Sequence, residues 1–380
     1  MLSPTPAVEC GATLAEFKDD FVADMGPALR EAYRSRLTAC RRTVLAMVDH
    51  VGSPAFLGEL RGPIPSAWEP VLRDVWLRPY RSYMERSGKF LRPFLVSLCM
   101  DAYGRDPLAN PVPIALAEMI HSASLLLDDI VDDSQLRRGA PCAHTQIGVR
   151  ASGTVASAWL NSAFELLRVM PGSMSPVDVR ALMREIAWEH WVTGIGTVID
   201  CTWPTLDSLN HQPEEYLQSV LHRSTSYTYR LPLKIGAIAA GASADEVRQF
   251  ARLGEELGIS FQLVDDILNL KPGDDHWGKT VAEDVTEGKV TLQVLLALQR
   301  ADKASATRLV KILRARTRDP RLLCEAVDII DASGAFVRAR EIARRHVDRT
   351  HEIVQEMSFL PGATRQVLSE FVDYVVSRSR

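Results

Sequence analysis

The acidic segment 128–133 has the residue types and the spacing of a cation-binding site. Its sequence is Asp-Asp-Ile-Val-Asp-Asp, and it directly follows three leucines. Positions three and four residues apart share a helix face, so Asp128, Asp129 and Asp132 could point into one space. Carboxylates packed this closely repel one another unless a cation lies between them. Hard oxygen ligands on an apolar helix suit Mg²⁺, which keeps several waters and often shares phosphate oxygens.

A second segment repeats this geometry farther along the chain. Asp265, Asp266 and Asn269 have the same i, i+1, i+4 spacing and lie within another apolar stretch. Either segment alone could be a solvent-exposed helix end or a carboxylate pair that caps a neighbouring helix. Two such segments in one chain argue against coincidence. We therefore predict that both bind metal, with six candidate ligands: Asp128, Asp129, Asp132, Asp265, Asp266 and Asn269.

Cationic side chains lie near each acidic segment in the sequence. They are Arg137 and Arg138 after the first segment, Lys279 and Lys289 after the second, and Lys89 and Arg92 farther upstream. Guanidinium groups offer forked donors to phosphate, and ammonium groups offer a point charge. Two carboxylate clusters accompanied by these cations predict a site for a polyanionic ligand that is bridged by metal.

The elements that must position these side chains are predicted to be helices. Apolar residues recur every three or four positions at 116–127 and at 253–268, ahead of or within the acidic segments. Alternation typical of strands is nearly absent, so the sequence predicts an all-α bundle. A breaker at 61–65, Arg-Gly-Pro-Ile-Pro, divides the chain into a helical N-terminal extension (residues 1–65) and an all-α body (residues 66–380).

The composition excludes several classes of protein. Hydrophobic residues make up 46% and charged residues 24% of the 380 residues, which excludes disorder across the chain. The net charge of −4 gives no basic excess for nucleic acid, and no apolar run is long enough to span a membrane. Six scattered cysteines without a CxxC pair, and an N-terminus unlike a secretory signal, lead us to expect a cytoplasmic protein.

Two stretches resemble the all-trans isoprenyl (polyprenyl) diphosphate synthases. Residues 121–148, HSASLLLDDIVDDSQLRRGAPCAHTQIG, resemble the first aspartate-rich region of that family, and residues 257–292 resemble the second. The subtype is similar to eukaryotic-type geranylgeranyl diphosphate synthases, which share the Asn that ends the second motif. The resemblance implies a large single-domain helical bundle with a central apolar cavity. It also implies three Mg²⁺ ions and a homodimer or a higher even homo-oligomer.

The resemblance further implies roles for individual residues. The side chains implied in catalysis are Asp128, Asp129, Asp132, Arg137, Asp265 and Lys279. Those implied to contact the diphosphate of the allylic substrate, beside the metal ligands, are Arg137, Lys279 and Lys289. Those implied to bind isopentenyl diphosphate are Lys89, Arg92, His121 and Arg138.

Five other residues enter through the same resemblance. Phe261 and Gln262 would line the reacting centre. Arg223 and Ser224 stand where the family usually has Lys-Thr, and we include them among the substrate-binding residues. Asp200 resembles an aspartate of a further family motif that lies between the two acidic segments.

The resemblance implies a prenyltransferase that condenses isopentenyl diphosphate with C5 to C15 allylic diphosphates. Ionisation of the allylic diphosphate, condensation and proton elimination would make all-trans geranylgeranyl diphosphate. Ala123 and Ser124, one helical turn before Asp128, are small, so the growing tail should pass the fifteen-carbon stage. Trp159, together with Met119 and Ile120, would form the floor of the tail channel.

Three alternatives remain open. The altered stretch around Arg223, with Tyr227 and Tyr229, is compatible with an indole or another aromatic acceptor in place of isopentenyl diphosphate. A class I terpene cyclase would ionise one diphosphate and needs no second diphosphate site, which the upstream cations argue against. A non-enzymatic regulatory subunit would not need two nearly complete metal motifs.

Overall fold

The computed structural model describes residues 19–86, 88–170, 172–205, 211–271 and 282–377, and this part of the chain is almost entirely helical. The α-helices are α1 (Pro27–Val51), α2 (Pro54–Arg61), α3 (Glu69–Val71), α4 (Arg78–Glu85), α5 (Leu91–Ala102), α6 (Val112–Val131), α7 (Ala143–Ile147), α8 (Val149–Val169), α9 (Pro176–Thr202), α10 (Pro213–Thr225), α11 (Leu231–Ala240), α12 (Ala244–Leu270), α13 (Glu283–Glu287), α14 (Leu292–Arg300), α15 (Lys303–Ala315), α16 (Pro320–Ala332), α17 (Ala335–Glu356) and α18 (Gly362–Ser377). Short 3₁₀ segments are Asp19–Asp24, Ser66–Trp68 and Trp203–Thr205, and π-helical segments are Leu72–Leu77 and Ser226–Arg230.

The predicted all-α bundle is confirmed, and its two central helices carry the acidic segments. Helix α6 is apolar along most of its length and packs against α8 and α5, whereas α12 packs against α17, α10 and α11. A capping box at the start of α12 joins Ser243 and Glu246, whose side chains satisfy backbone N–H groups that the first turn leaves free. In both helices the acidic segment lies at the C-terminal end.

One small β-hairpin interrupts the helices just after α6. Strands β1 (Leu136–Arg137) and β2 (Ala140–Pro141) pair antiparallel. The two residues between them, Arg138 and Gly139, have φ values of 52° and 75°, the left-handed pair that a tight hairpin turn requires. The sequence did not predict this hairpin, which fixes the direction of two adjacent arginines.

The N-terminal extension packs into the body of the molecule. Helix α1 lies against α5, α6 and α18, and its Leu29 and Tyr33 are fully buried in one hydrophobic cluster with Phe371 of α18. The boundary at residue 65 stays a prediction, because these contacts show shared packing and do not define domains. None of the described helices is long and apolar enough to cross a membrane.

A buried ionic cluster ties α9 to the segment that follows α10. Glu189 of α9 is fully buried and accepts hydrogen bonds from Arg230 Nη2 at 2.7 Å and from Lys234 Nζ at 2.7 Å. Lys234 also reaches Glu185 at 3.0 Å, and Arg230 reaches Glu255 at 3.3 Å. The cluster fixes the π-helical segment Ser226–Arg230, and a buried charge set of this kind is stable only when every member is paired.

Candidate active site

The first acidic segment lies where α6 ends, and its carboxylates are surrounded by cations. Burial raises the pKa of the Asp128 carboxyl to about 6, and repulsion from Asp132 adds to the shift, while Arg137, Arg223 and Lys289 oppose it. Lys289 Nζ lies 3.5 Å from Asp132 Oδ2. Asp128 and Asp132 therefore share one space, as the i, i+4 spacing predicts.

Asp129 differs from its two neighbours because both of its oxygens are already engaged. It is fully buried, accepts a hydrogen bond of 2.5 Å from the Tyr83 hydroxyl on Oδ2, and accepts one of 2.8 Å from Arg137 Nε on Oδ1. Tyr83 also accepts a hydrogen bond of 3.0 Å from the Ala143 N–H. Its place one residue along the helix directs Asp129 to α4 and the hairpin in the metal-free chain, and its role as a metal ligand stays a prediction.

The second acidic segment is held by neutral donors. Asp266 is buried and accepts hydrogen bonds from the Tyr216 hydroxyl and, at 2.7 Å, from Gln262 Nε2. Burial, together with the carboxylates of Asp284 and Asp265, raises its pKa to about 7. Gln262, predicted to line the reacting centre, thus orients this carboxylate, whereas Asp265 is only half-buried.

Asn269 has a structural partner that its spacing did not predict. Its Oδ1 accepts a hydrogen bond of 3.1 Å from the Asp284 N–H, and its carbonyl accepts one of 2.9 Å from the Ala282 N–H. The side chain thereby caps the first turn of α13, where free N–H groups need an acceptor. In the metal-free chain its amide oxygen serves the backbone, and its role as a metal ligand stays a prediction.

Two cations join the two acidic segments. Although burial alone would lower the pKa of Lys289, the carboxylates of Asp132, Asp284 and Glu287 raise it above its ordinary value. Lys289 Nζ forms an ion pair with Glu287 and lies 4.0 Å from Asp284. Lys289 thus lies between the end of α6 and the segment α13, which follows α12 in the chain. The C-terminal ends of α6 and α12 therefore contribute to one site.

Arg223 of α10 is the second joining cation. Its Nη1 lies 3.4 Å from Asp200 Oδ2. Burial opposes the charge, but Asp200, Asp266 and Asp128 raise the pKa of the guanidinium above its ordinary value. Ser224, its neighbour, is half-buried on the same helix. Lys279, the other predicted cation of the allylic site, lies outside the described residues.

The carboxylates of both segments have the chemistry of a magnesium site. Among the described residues, no group of three or more His, Cys, Asp and Glu side chains is arranged to hold a metal ion as it stands. Asp128 is repelled by Asp132, and Asp266 is repelled by Asp284 and Asp265. A divalent cation would relieve this repulsion, and hard carboxylate oxygens with room for phosphate suit Mg²⁺. The donor set therefore fits this ion.

A separate group of cations lies behind α6. Arg92 Nε donates to the Tyr227 carbonyl at 3.1 Å, and Arg138 Nη1 donates to the Tyr83 carbonyl at 3.1 Å. Burial lowers the pKa of Arg92 to about 10, and the nearby Glu118 opposes that shift. Arg92 and Arg138 both approach Glu118, which is 1% exposed and sits in the middle of α6.

His121 belongs to this second group as a neutral side chain. Burial lowers the pKa of the imidazole well below its usual range, and Arg92, Arg138 and Arg137 lower it further. Gly88 packs closely against the Arg138 guanidinium. A Cβ atom at position 88 would lie only 2.5 Å from Arg138 Nη1. Lys89, the fourth predicted member, is half-buried, and its Nζ faces the rings of Phe21 and Tyr374.

The predicted tail-channel residues belong to one packed apolar cluster. Ala123 and Trp159 are fully buried in it. Trp159 stacks on Trp76 and on Tyr80, with ring centroids 4.9 Å and 4.0 Å apart. Ser124 is half-buried, and its hydroxyl donates to the His121 carbonyl at 2.8 Å.

Phe261, predicted to line the reacting centre, packs edge-on against Tyr229 at a centroid distance of 5.3 Å. Tyr229 is itself 1% exposed, and Tyr227 is buried against His190 at 5.4 Å. Neither tyrosine of the altered stretch is therefore an open surface for an aromatic acceptor.

Sequence reasoning did not single out Tyr83, Tyr216 and Glu118. Their only local signal is a polar group on a helix face that is otherwise apolar.

Comparisons with known proteins agree with this geometry. The family model described as "Polyprenyl synthetase" matches residues 73–330. The chain is 30% identical to a short chain isoprenyl diphosphate synthase of Methanothermobacter thermautotrophicus, over 80% of this chain and 91% of that protein. It is 31% identical to a nonaprenyl diphosphate synthase of Mycobacterium tuberculosis, over 88% of this chain and 98% of that one.

A solved structure shares the fold. It is a geranylgeranyl pyrophosphate synthase of Corynebacterium glutamicum complexed with isoprenyl diphosphate and magnesium, with a TM-score of 0.77 and 23% identity. The match covers 90% of this chain and 98% of that one. At this identity the likeness establishes the arrangement of helices and does not by itself assign a substrate.

Proposed function

Because the chain belongs to the polyprenyl synthetase family, we propose that it condenses isopentenyl diphosphate with C5 to C15 allylic diphosphates to make all-trans geranylgeranyl diphosphate. The observation that carries the proposal is the pairing of two sites. Carboxylates from α6 and α12 meet around Arg223, and Lys289 joins Asp132 at the end of α6 to Asp284 of α13. A distinct cationic group lies near Glu118. A condensation of two diphosphates needs both.

The allylic diphosphate would bind at the first of these sites. Asp128 and Asp132, with Asp265 and Asp266, would hold the Mg²⁺ ions, of which we expect three, and Asp129 would act through Arg137. Bound Mg²⁺ supplies Lewis-acid stabilisation of the diphosphate as the carbon–oxygen bond breaks. The relative solved with isoprenyl diphosphate and magnesium supports both ligands.

The cations of this site would stabilise the departing diphosphate. Lys289 and Arg223 carry charge into a half-buried space, where electrostatic stabilisation is stronger than in water. Lys279 would join them, and Arg137 would reach the diphosphate from the hairpin. The apolar wall of α6 below the carboxylates would keep water from the allylic cation until the double bond of isopentenyl diphosphate attacks it.

Isopentenyl diphosphate would bind behind α6. Arg92 and Arg138 give forked donors to its diphosphate, Lys89 gives a point charge, and the neutral imidazole of His121 gives a hydrogen bond without adding repulsion. A second anion-binding group supports condensation over cyclisation of a single diphosphate. Proton loss would follow to the departed diphosphate, so no side-chain nucleophile is required.

The length of the product is proposed from the packing beneath Asp128. Small side chains at Ala123 and Ser124 would leave room for a tail one helical turn before Asp128, and Trp159, in the same buried cluster as Ala123, would close that space farther down. Twenty carbons would reach this aromatic floor. Replacing Ser124 by Phe should shorten the product toward C15, since packed cores do not expand freely. Replacing Trp159 by Ala should lengthen it.

The double replacement Ala123→Phe with Ser124→Phe should shorten the product most. Because Ala123 is fully buried, the extra volume could also disturb folding. Ser124→Phe alone, at a half-buried position, keeps the test decisive. An unchanged product length in a folded Ser124→Phe protein would mean that the tail runs elsewhere.

We also propose an even homo-oligomer that pairs through α9. Its outer face exposes Trp188, Trp191, Ile195 and Val198 at helical spacing, while its inner face buries apolar residues as well. A helix that is apolar on both faces is normally covered on both. Light scattering should give a dimer or a multiple of it, and Trp191→Glu should release monomers. A wild-type monomer at micromolar concentration would contradict this.

One assay tests the activity. The protein is incubated with Mg²⁺, isopentenyl diphosphate and each of the C5, C10 and C15 allylic diphosphates, and the products are identified by mass spectrometry. We expect C20 diphosphate from every primer and no product with a chelator. Parallel reactions contain indole in place of isopentenyl diphosphate, or the allylic diphosphate alone. Turnover only with indole would indicate an aromatic acceptor, and a cyclic hydrocarbon from the allylic substrate alone would indicate a cyclase.

A further inference from the structure

Lys89 lies between two aromatic rings that come from opposite ends of the chain. Its Nζ is 5.4 Å from the centroid of the Phe21 ring and 5.7 Å from that of Tyr374. Phe21 belongs to the 3₁₀ segment Asp19–Asp24, and Tyr374 belongs to α18. Both distances are within the range at which an ammonium ion is attracted to the face of an aromatic ring. We call Phe21 and Tyr374 the Lys89 cage.

The cage is held by contacts on both sides of Lys89. Tyr33 donates its hydroxyl hydrogen to the Lys89 carbonyl. The Tyr33 ring packs edge-on against Phe21 at 5.8 Å and against Phe94 at 5.5 Å. One side chain of the extension therefore fixes the backbone of Lys89 and also supports one wall of its cage.

The two ends of the chain are also joined directly to each other. The Leu29 N–H donates to Glu370 Oε2 at 2.9 Å. Leu29 is in α1, and Glu370 is one turn before Tyr374 on α18. The Phe21 and Tyr374 rings are therefore held at a fixed distance from each other. Both walls lie outside residues 73–330, the part of the chain that the family model matches.

We propose that Phe21 and Tyr374 are positioning residues that hold the Lys89 ammonium ready for the diphosphate of isopentenyl diphosphate. This rests on the proposed function, and it gives the N-terminal extension a part in substrate binding. A lysine side chain is long and flexible, and fixing it before the ligand arrives removes a cost that binding would otherwise carry. The ring faces attract the ammonium without neutralising its charge.

Steady-state kinetics of the full chain test the cage. Phe21→Leu and Tyr374→Leu remove a ring but keep an apolar side chain. Each should raise the KM for isopentenyl diphosphate about three-fold, and the double variant about ten-fold. The KM for the allylic diphosphate and kcat should stay near wild type. Tyr374→Phe keeps the ring and should behave as wild type.

A matched control separates positioning from loss of core packing. Phe250→Leu removes a fully buried ring from the same hydrophobic cluster, where Phe250 packs against Phe359 and makes no ring contact with Lys89. It should lower the unfolding temperature about as much as Phe21→Leu and leave the KM for isopentenyl diphosphate unchanged. An equal rise in that KM in Phe250→Leu would overturn the cage, because general loosening would then explain it.

A double-mutant cycle with Lys89→Ala gives a readout that does not need turnover. Binding of inorganic pyrophosphate is measured by calorimetry in the presence of a chelator, so that the metal site does not contribute. Phe21→Leu should weaken this binding in the wild-type background and have no further effect in the Lys89→Ala background. Equal weakening in both backgrounds, or pyrophosphate binding that does not depend on Lys89, would overturn the cage.

The two proposals fail in different ways. A wild-type protein that binds pyrophosphate through Lys89 but does not turn over isopentenyl diphosphate would remove the proposed function, and the cycle would still decide the cage. A wild-type protein that condenses isopentenyl diphosphate, with the same KM in folded Phe21→Leu and Tyr374→Leu proteins, would keep the function and overturn the cage.

Discussion

The C-terminal ends of α6 and α12 carry the same i, i+1, i+4 pattern of oxygen ligands but hold it differently. At the end of α6, Asp129 is paired with the guanidinium of Arg137, whereas in α12 Asp266 is held by the neutral donors Tyr216 and Gln262. The pattern repeats, while the surroundings do not. The difference shows that identical spacing can leave one carboxylate in a direct ion pair and the other bonded to neutral donors, with Arg223 acting on it only through its charge.

The largest expected effect is on turnover, and it should be the same for the acidic segments at the ends of α6 and α12. Asp128→Asn and Asp265→Asn each remove a candidate metal ligand, so we expect kcat to fall by about a thousand-fold or more, from lost stabilisation of the leaving diphosphate. Asp133→Asn is the matched control, because Asp133 follows the first cluster but is exposed. Helical circular dichroism should not change in any of them. Full activity in Asp128→Asn would remove the metal assignment.

Stability should distinguish the two ends. Arg137→Ala leaves the fully buried Asp129 without its charge partner, which should cost about 3–5 kcal/mol in the free energy of unfolding. Tyr216→Phe removes a neutral donor from Asp266 and should cost about 1–2 kcal/mol. Urea unfolding of both variants with a chelator present makes the measurement. Equal losses would mean that the charge pair at Asp129 is no more important than the neutral contacts at Asp266.

The pH dependence of stability should be dominated by carboxyl groups at these ends. In the metal-free protein the pKa of Asp128 is raised to about 6 and that of Asp266 to about 7, against about 4 in the unfolded chain. A raised pKa means that the folded state binds the proton more tightly. The contribution of each group is therefore complete below about pH 4 and is lost as the pH rises through about 6 and about 7.

Thermal unfolding between pH 5 and pH 8 with a chelator checks this direction. The difference in unfolding temperature between wild type and Asp266→Asn should shift in favour of the variant as the pH rises. Asp133→Asn should follow wild type throughout. Added Mg²⁺ should stabilise wild type more at pH 8 than at pH 5, because the ion binds the ionised carboxylates. A constant difference across the range would contradict the raised pKa of Asp266.

The smallest expected effect concerns Asn269. If its amide oxygen caps α13 as the structure shows, Asn269→Ala should cost about 1 kcal/mol of stability and leave the Mg²⁺ concentration for half-maximal activity unchanged. A several-fold rise in the Mg²⁺ requirement of Asn269→Ala would instead support Asn269 as a metal ligand.

The sequence predicted the helices because local periodicity encodes them, and it predicted the acidic ends because spacing along one helix is local too. It did not predict the partner of Asp129, because Tyr83 lies 46 residues upstream on another helix. The cap on Asn269 depends on Asp284, and the Lys89 cage depends on residues near both termini. Such contacts, between residues far apart in the sequence, decide which of several similar oxygens is free to bind a ligand.

The buried cluster of Glu189, Arg230 and Lys234 has a consequence for how this sequence can change over generations. A single replacement of Glu189 would take the fully buried carboxylate from Arg230 and Lys234 and leave them only Glu255 and Glu185, which are more exposed. The cost would be up to about 3–5 kcal/mol, a large share of the stability of an ordinary protein. Replacing all three by apolar residues of similar volume could be nearly neutral. Single replacements in the cluster are therefore costly, and concerted replacements are tolerated. Proteins that descend from this chain should keep the three residues together or lose them together.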